Sequence, residues 1–119
     1  MTVDAAASIL VLEDEWVVAE MVRQTLADAG YAVVGPVNSV ARALKAIEDR
    51  RIDAAVLDIW LGASVSFPLA EELSARGVPF LFMTGYSATD LPEKFRGEVL
   101  LGKPLAPHAL LAALRGLLD

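Results

Sequence analysis

Short apolar runs, each followed by a stretch with helical spacing, recur five times along the 119 residues, and that alternation leaves few folds open. The runs are residues 9–12, 32–35, 54–58, 80–83 and 99–101. After the first, Val17, Met21, Val22, Thr25, Leu26 and Ala29 predict a helix over 16–29, with Gly30 as its stop. Pro36 is expected to close the second strand. Asn38 or Ser39 then caps a helix carrying Val40, Leu44 and Ile47. The third run is apolar on consecutive residues, as in a strand covered on both faces. A helix over 68–75 follows, with Pro68 in its first turn and Gly77 beyond its end, and a last helix spans 107–118. Between the fourth and fifth runs, "GYSATDLPEKFRG" has weak periodicity and an internal proline, which predicts a short or frayed fourth helix. Alternating strands and helices with right-handed crossovers give an α/β, flavodoxin-like (βα)5 sandwich, with a five-stranded parallel sheet of order 2-1-3-4-5. Residues 1–7 are expected to be a disordered leader, and 8–119 the domain.

Bulk properties narrow the chemistry. The chain is about one domain long, and no stretch reaches the ~18 apolar residues of a membrane span. "MTVDAAAS" lacks a basic n-region and a long apolar core, so a cytoplasmic location is expected. Without cysteine there are no disulfides or zinc-thiolate sites, and one histidine, His108, leaves little for a histidine cage. A net charge of −6 opposes binding to nucleic acid or an anionic membrane and favours a protein partner.

In open parallel sheets, functional groups gather at the carboxyl ends of the strands. Those ends collect Glu13 and Asp14, then Asp58, Thr84 and Lys103. Singly, each has a plainer explanation: Asp58 as a turn residue, Glu13 and Asp14 as charges at a helix start, Thr84–Gly85 as a turn. Together, three carboxylates repel one another, and a hard divalent cation with oxygen ligands, Mg²⁺, relieves that repulsion. If Asp58 attacks a phosphoryl group, Mg²⁺, the Lys103 ammonium and the Thr84 hydroxyl can each take one equatorial oxygen.

The segments "VLEDE", "VLDIWL", "FMTGY" and "LLGKPL" resemble the receiver (CheY-like) domain of bacterial two-component response regulators over essentially the whole chain. "PFLFMTGY" further resembles the single-domain receivers with a PFxFATGY signature found in alphaproteobacteria. The resemblance implies that Asp58 is the phosphoacceptor, served by a histidine kinase or phosphotransfer protein. It implies Asp14 as a direct Mg²⁺ ligand, Glu13 as the acid beside it, and the Trp60 backbone carbonyl as completing the metal shell. Thr84 and Lys103 match the switch hydroxyl and the family lysine, and the Lys103–Pro104 bond stands where the family has a cis peptide. The interval from Asp14 to Asp58 is ordinary for receivers, whereas that from Thr84 to Lys103 is a few residues short.

Two departures matter. Leu100 stands where the family usually has a switch Tyr or Phe, so the signal needs another route, for which Tyr86 is a candidate. Residues 85–97 are expected to become ordered on activation. Trp60 and Tyr86 flank the acceptor where many receivers position the hydrolytic water, so the bulky pair is expected to screen the acyl phosphate. The chain ends with the fifth helix, and a stand-alone receiver is therefore expected, not an enzyme, with an unnamed downstream protein as target. The alternatives are a degenerate receiver binding constitutively, or a haloacid-dehalogenase-like phosphatase. The latter needs an aspartate two places after Asp58, where Trp60 stands.

Overall fold

The period-two alternation of each apolar strand sorts its side chains onto two opposed faces, and each face is covered by helices. The computed structural model describes residues 6–85 and 91–119. Its core strands are β1 (Ser8–Leu12), β2 (Ala32–Val37), β3 (Ala54–Asp58), β6 (Phe80–Thr84) and β7 (Val99–Gly102). Two further strands, β4 (Trp60–Leu61) and β5 (Ser64–Val65), form a small antiparallel hairpin. The helices are α1 (Trp16–Asp28), α2 (Val40–Asp49), α3 (Phe67–Ala75) and α4 (Pro107–Leu118). All four pairings of the main sheet are parallel, in the order β2-β1-β3-β6-β7. Without the hairpin this is the expected 2-1-3-4-5 order.

Ile9, Val11, Val56, Leu81 and Met83 point to one side and meet Val22 and Leu26 of α1 with Leu110 and Leu114 of α4. Leu10, Leu12, Leu57, Phe80 and Phe82 point to the other and meet Ile47 of α2 with Leu69 and Leu73 of α3. Every residue of β3 and β6 is buried, so the two central strands can end in polar groups only where the sheet stops.

Local chemistry explains the helix limits. Ser39 caps α2, its Oγ accepting from the Arg42 amide at 3.2 Å. Gly77 beyond α3 takes φ +73. The apolar stripe of α1 is narrower than its periodicity suggests: Ala19, Val22 and Leu26 are buried, but Val17 is 72% exposed and Ala29 also faces water. The first turn of α1 lies beyond the end of β1, where no sheet is left to cover Val17.

The second strand corrects a sequence expectation, because Pro36 does not close it. The strand continues to Val37 through a bulge: Leu10 pairs with Val34 and Leu12 with Val37, one residue against two. Gly35 takes φ +101 there, and both Gly35–Pro36 and Lys103–Pro104 are cis. β2 is an edge strand, where a missing proline N–H is tolerated. The bulge carries Val37 far enough for its carbonyl to accept the Glu13 amide at 3.0 Å, which fixes the start of the acidic loop.

In the segment expected to form a frayed helix, residues 86–90, including Tyr86, lie outside the described residues, as do residues 1–5 of the expected leader. The described remainder carries one 3-10 turn, Glu93–Phe95, which arises because Pro92 precedes it and Gly97 follows. Phe95 anchors that turn. It stacks on Phe67 at 5.5 Å between centroids and meets Phe82 edge-on at 5.6 Å, contacts worth about 0.5–1.5 kcal/mol each.

The bulge gives a stability prediction. A Cβ on Gly35 would lie 2.6 Å from the Val37 nitrogen and 3.0 Å from the Val11 carbonyl oxygen, both backbone atoms, whereas one on Gly30 would meet open space. Gly35→Ala should cost about 2–4 kcal/mol and Gly30→Ala about 1–2 kcal/mol, from its positive φ alone. Urea denaturation midpoints measure both; equal costs would sink the account of the bulge.

Candidate functional site

Parallel pairing brings the ends of β1, β3, β6 and β7 to one edge of the sheet. Asp58 pairs with Met83, and Thr84 with Gly102. The Lys103 amide donates to the Thr84 carbonyl at 2.9 Å, so the lysine is tied to the end of β6 by backbone as well as by sequence. Glu13 and Asp14 stand where β1 hands over to α1. Ligand oxygens of Glu13, Asp14 and Asp58 all lie within 4.8 Å of one another. These residues, from the β1–α1 junction and the end of β3, form one acidic cluster.

A cleft of about 510 Å³ opens over the cluster, lined by Asp14, Glu15, Asp58, Trp60, Gly62, Gly85 and Lys103. Asp58, Glu13 and Thr84 are buried, while Asp14 and Glu15 are exposed at the rim. Lys103 reaches across the cluster. Its Nζ lies 2.7 Å from Glu13 Oε1, 3.1 Å from Glu15 Oε1 and 3.4 Å from Asp58 Oδ2. Glu13 Oε1 is buried without a well-directed hydrogen bond, so the nearby ammonium compensates it by charge. Glu13 Oε2 accepts the Glu15 amide at 3.1 Å and fixes the turn into α1.

The electrostatics follow from this crowding. Burial first, then a side-chain hydrogen bond and charge repulsion from Glu13, together push the Asp58 carboxyl up to about 7, with Lys103 pulling the other way without prevailing. For Lys103, burial acts to lower the pKa, but Glu13, Asp58 and Glu15 outweigh it and the net shift is upward. The ammonium therefore stays charged, while Asp58 is poised between its two forms. An acidic residue so placed gains from a second cation.

Each of the site residues singled out from the sequence, Tyr86 excepted, can be placed. Glu13, Asp14, Asp58, Thr84 and Lys103 converge on the cleft end of the sheet. Trp60 is 39% exposed at the cleft wall, on the hairpin that pairs it with Val65. Leu100 is half-buried in β7 and packs against the core on the α2 and α3 side. Tyr86 is outside the described residues. Sequence reasoning overlooked the hairpin, although "WLGASV" carries its signal: Gly62 takes φ +64 at the first position of a two-residue turn. It also overlooked Glu15 as a partner of Lys103. No spacing rule joins residues 88 positions apart.

The comparisons with known proteins agree with this geometry. Residues 9–115 match the model of the response regulator receiver domain. The chain is 32% identical over 117 residues to the response regulator MprA of Mycobacterium sp. (strain KMS), spanning 92% of this chain and 50% of that protein. It is 28% identical over 117 residues to the transcriptional regulatory protein YvrH of Bacillus subtilis (strain 168), spanning 92% and 48%. The chain thus spans about half the length of these curated relatives. Among solved structures, the solution structure of SdrG from Sphingomonas melonis Fr1 is similar with a TM-score of 0.85 and 41% identity, over 98% of this chain and 100% of that one. The BeF3-activated conformation of SdrG gives a TM-score of 0.82.

The raised Asp58 pKa has a thermodynamic consequence. The unfolded value is 3.8 and the folded value about 7, so the folded state holds this proton more tightly. Stability from the protonated carboxyl is complete below about pH 4 and is lost as pH rises through 7. Asp58→Asn cannot ionise. In Mg²⁺-free buffer it should exceed the wild type in stability by about 1–3 kcal/mol at pH 8, with the difference shrinking toward pH 4. Denaturation series at the two pH values measure this, and a difference independent of pH would refute the assignment.

Proposed function

The chain belongs to the response regulator receiver domain family, and we propose that it accepts a phosphoryl group on Asp58 from the phosphohistidine of a histidine kinase or phosphotransfer protein. It then signals through a phosphorylation-dependent protein contact. The observation that carries this reading is the position of Asp58. It ends a fully buried strand, its carboxylate is 3.4 Å from the Lys103 ammonium, and its ligand oxygens share a small volume with those of Glu13 and Asp14.

In the proposed reaction an Asp58 oxygen forms a bond to phosphorus as the phosphorus–nitrogen bond of the donor breaks, and the electron pair leaves with the imidazole nitrogen. Lys103 holds a positive charge beside the oxygens that gain charge. Thr84, at the end of the neighbouring strand, supplies a hydroxyl to the phosphoryl group, and the shift in its position carries the change outward. The residues fit a divalent cation: three carboxylates offer hard oxygen donors within 4.8 Å, and the buried Glu13 Oε1 lacks a directed hydrogen bond. Asp14, Asp58 and Glu13 would hold Mg²⁺, with the Trp60 backbone carbonyl as a further ligand. When bound, the ion supplies charge neutralisation among the carboxylates and at the phosphoryl oxygens.

The aspartyl phosphate is the chain's own modification, so the activity is that of a signalling domain. Trp60 at the cleft wall shields it from water, with Tyr86 as its partner in that role. Among the described residues no helix is long and apolar enough to cross a membrane, and the net charge of −6 opposes binding to nucleic acid or an anionic membrane and favours a protein partner. This chain matches the whole solved chain of SdrG, and about half of the longer proteins MprA and YvrH.

Incubation with Mg²⁺ and acetyl phosphate, or with a cognate phosphorylated kinase, should add one phosphoryl group by mass, and Asp58→Asn should abolish it. A group that persists on the Asp58→Asn protein, or a wild type that takes none from the kinase, would defeat the reading. Trp60→Asn should shorten the half-life of the phosphorylated protein severalfold, measured by loss of that mass. An unchanged half-life would remove the shielding role.

A further inference from the structure

Lys103 Nζ lies within 3.4 Å of three carboxylates, and of these contacts the one to Glu15 Oε1 at 3.1 Å is a directed hydrogen bond. A phosphoryl group on Asp58 replaces that carboxylate's single charge with about −1.5 to −2 charges, and an ammonium drawn toward it loosens its hold elsewhere. Glu13 and Asp58 have side chains 0% and 6% exposed, and both belong to the acidic cluster. The Glu15 side chain is 65% exposed and can return to water at little cost.

On the function proposed above, we infer that Glu15 is a positioning residue: it holds Lys103 in the unphosphorylated protein and releases it when Asp58 receives a phosphoryl group. The backbone makes this release independent of the fold. The Glu15 amide is held by Glu13 Oε2, and its carbonyl accepts the Ala19 amide at 2.9 Å, the first bond of α1. Its side chain makes no capping hydrogen bond, so moving it leaves the helix start intact. Glu15 also sits at the cleft rim, opposing an anionic donor until Lys103 is free. It therefore acts as a competitor for the lysine, setting how readily a phosphoryl group or its mimic is retained.

The test uses the whole 119-residue chain with Mg²⁺ and beryllofluoride as the phosphoryl mimic, read by tryptophan fluorescence, because Trp60 lines the cleft. Glu15→Gln should bind beryllofluoride about 3- to 10-fold more tightly than the wild type, and the phosphorylation rate with acetyl phosphate should rise by a similar factor. Glu15→Asp keeps the charge but is one methylene shorter, so its affinity should lie nearer to Glu15→Gln than to the wild type. A melting temperature shift alone, without tighter binding, overturns the inference, as does a Glu15→Asp protein that behaves like the wild type, because bulk charge would then explain the effect. If the wild type takes up neither mimic nor phosphoryl group, the proposed function itself fails. If it does and Glu15→Gln matches it, only the role of Glu15 fails.

Discussion

One ammonium among crowded carboxylates governs this molecule. Lys103 at the end of β7 reaches Glu13, Glu15 and Asp58 with a single side chain, and two of those carboxylates belong to the partly buried acidic cluster. A single cation cannot satisfy that many anions in a low-dielectric setting, and the Asp58 pKa, raised first by burial and then by Glu13, stays up despite the lysine. The site therefore sits in tension. Protonation, a metal ion or a rearrangement of partners each relieves it, and a chemical event on Asp58 is felt at once by every group that shares the lysine.

The sheet keeps that tension local. β3 and β6 are buried along their whole length, so Asp58 and Thr84 can be polar only at the boundary where the strands stop. The bulge at Gly35 and Pro36 extends β2 until Val37 holds the Glu13 amide, and Glu13 in turn holds the Glu15 amide. A backbone irregularity on an edge strand thus fixes the acidic loop over the neighbouring strand. On the opposite flank, Phe95 fastens the turn before β7 to the α3 side of the core, which limits where β7 and Lys103 can sit.

Much of the architecture was legible because its signals are local. Consecutive apolar residues in 54–58 identified a central strand, Asn38 or Ser39 marked the start of α2, where Ser39 proves to be the cap, and Gly77 marked the end of α3. The order of acids, hydroxyl and lysine along the chain was legible too, since strand ends in a parallel sheet must meet. Three expectations needed tertiary context. Pro36 was read as a terminator because proline lacks a donor, but an edge strand with a bulge does not need that donor. Val17 was placed on the apolar stripe of α1, because periodicity cannot see where the sheet ends. The hairpin at Trp60 was missed because two-residue strands are too short to show alternation.

The sequence by itself determined that the chain alternates strand and helix, that its sheet is parallel and buried, and that Glu13, Asp14, Asp58, Thr84 and Lys103 end on one edge. These follow from hydrophobic period and chain order, which tertiary packing rarely reverses. Only the tertiary structure decided which carboxylates share the lysine. That choice depends on side-chain reach across elements 88 residues apart and on which groups water can still solvate, and neither quantity is written in the local sequence.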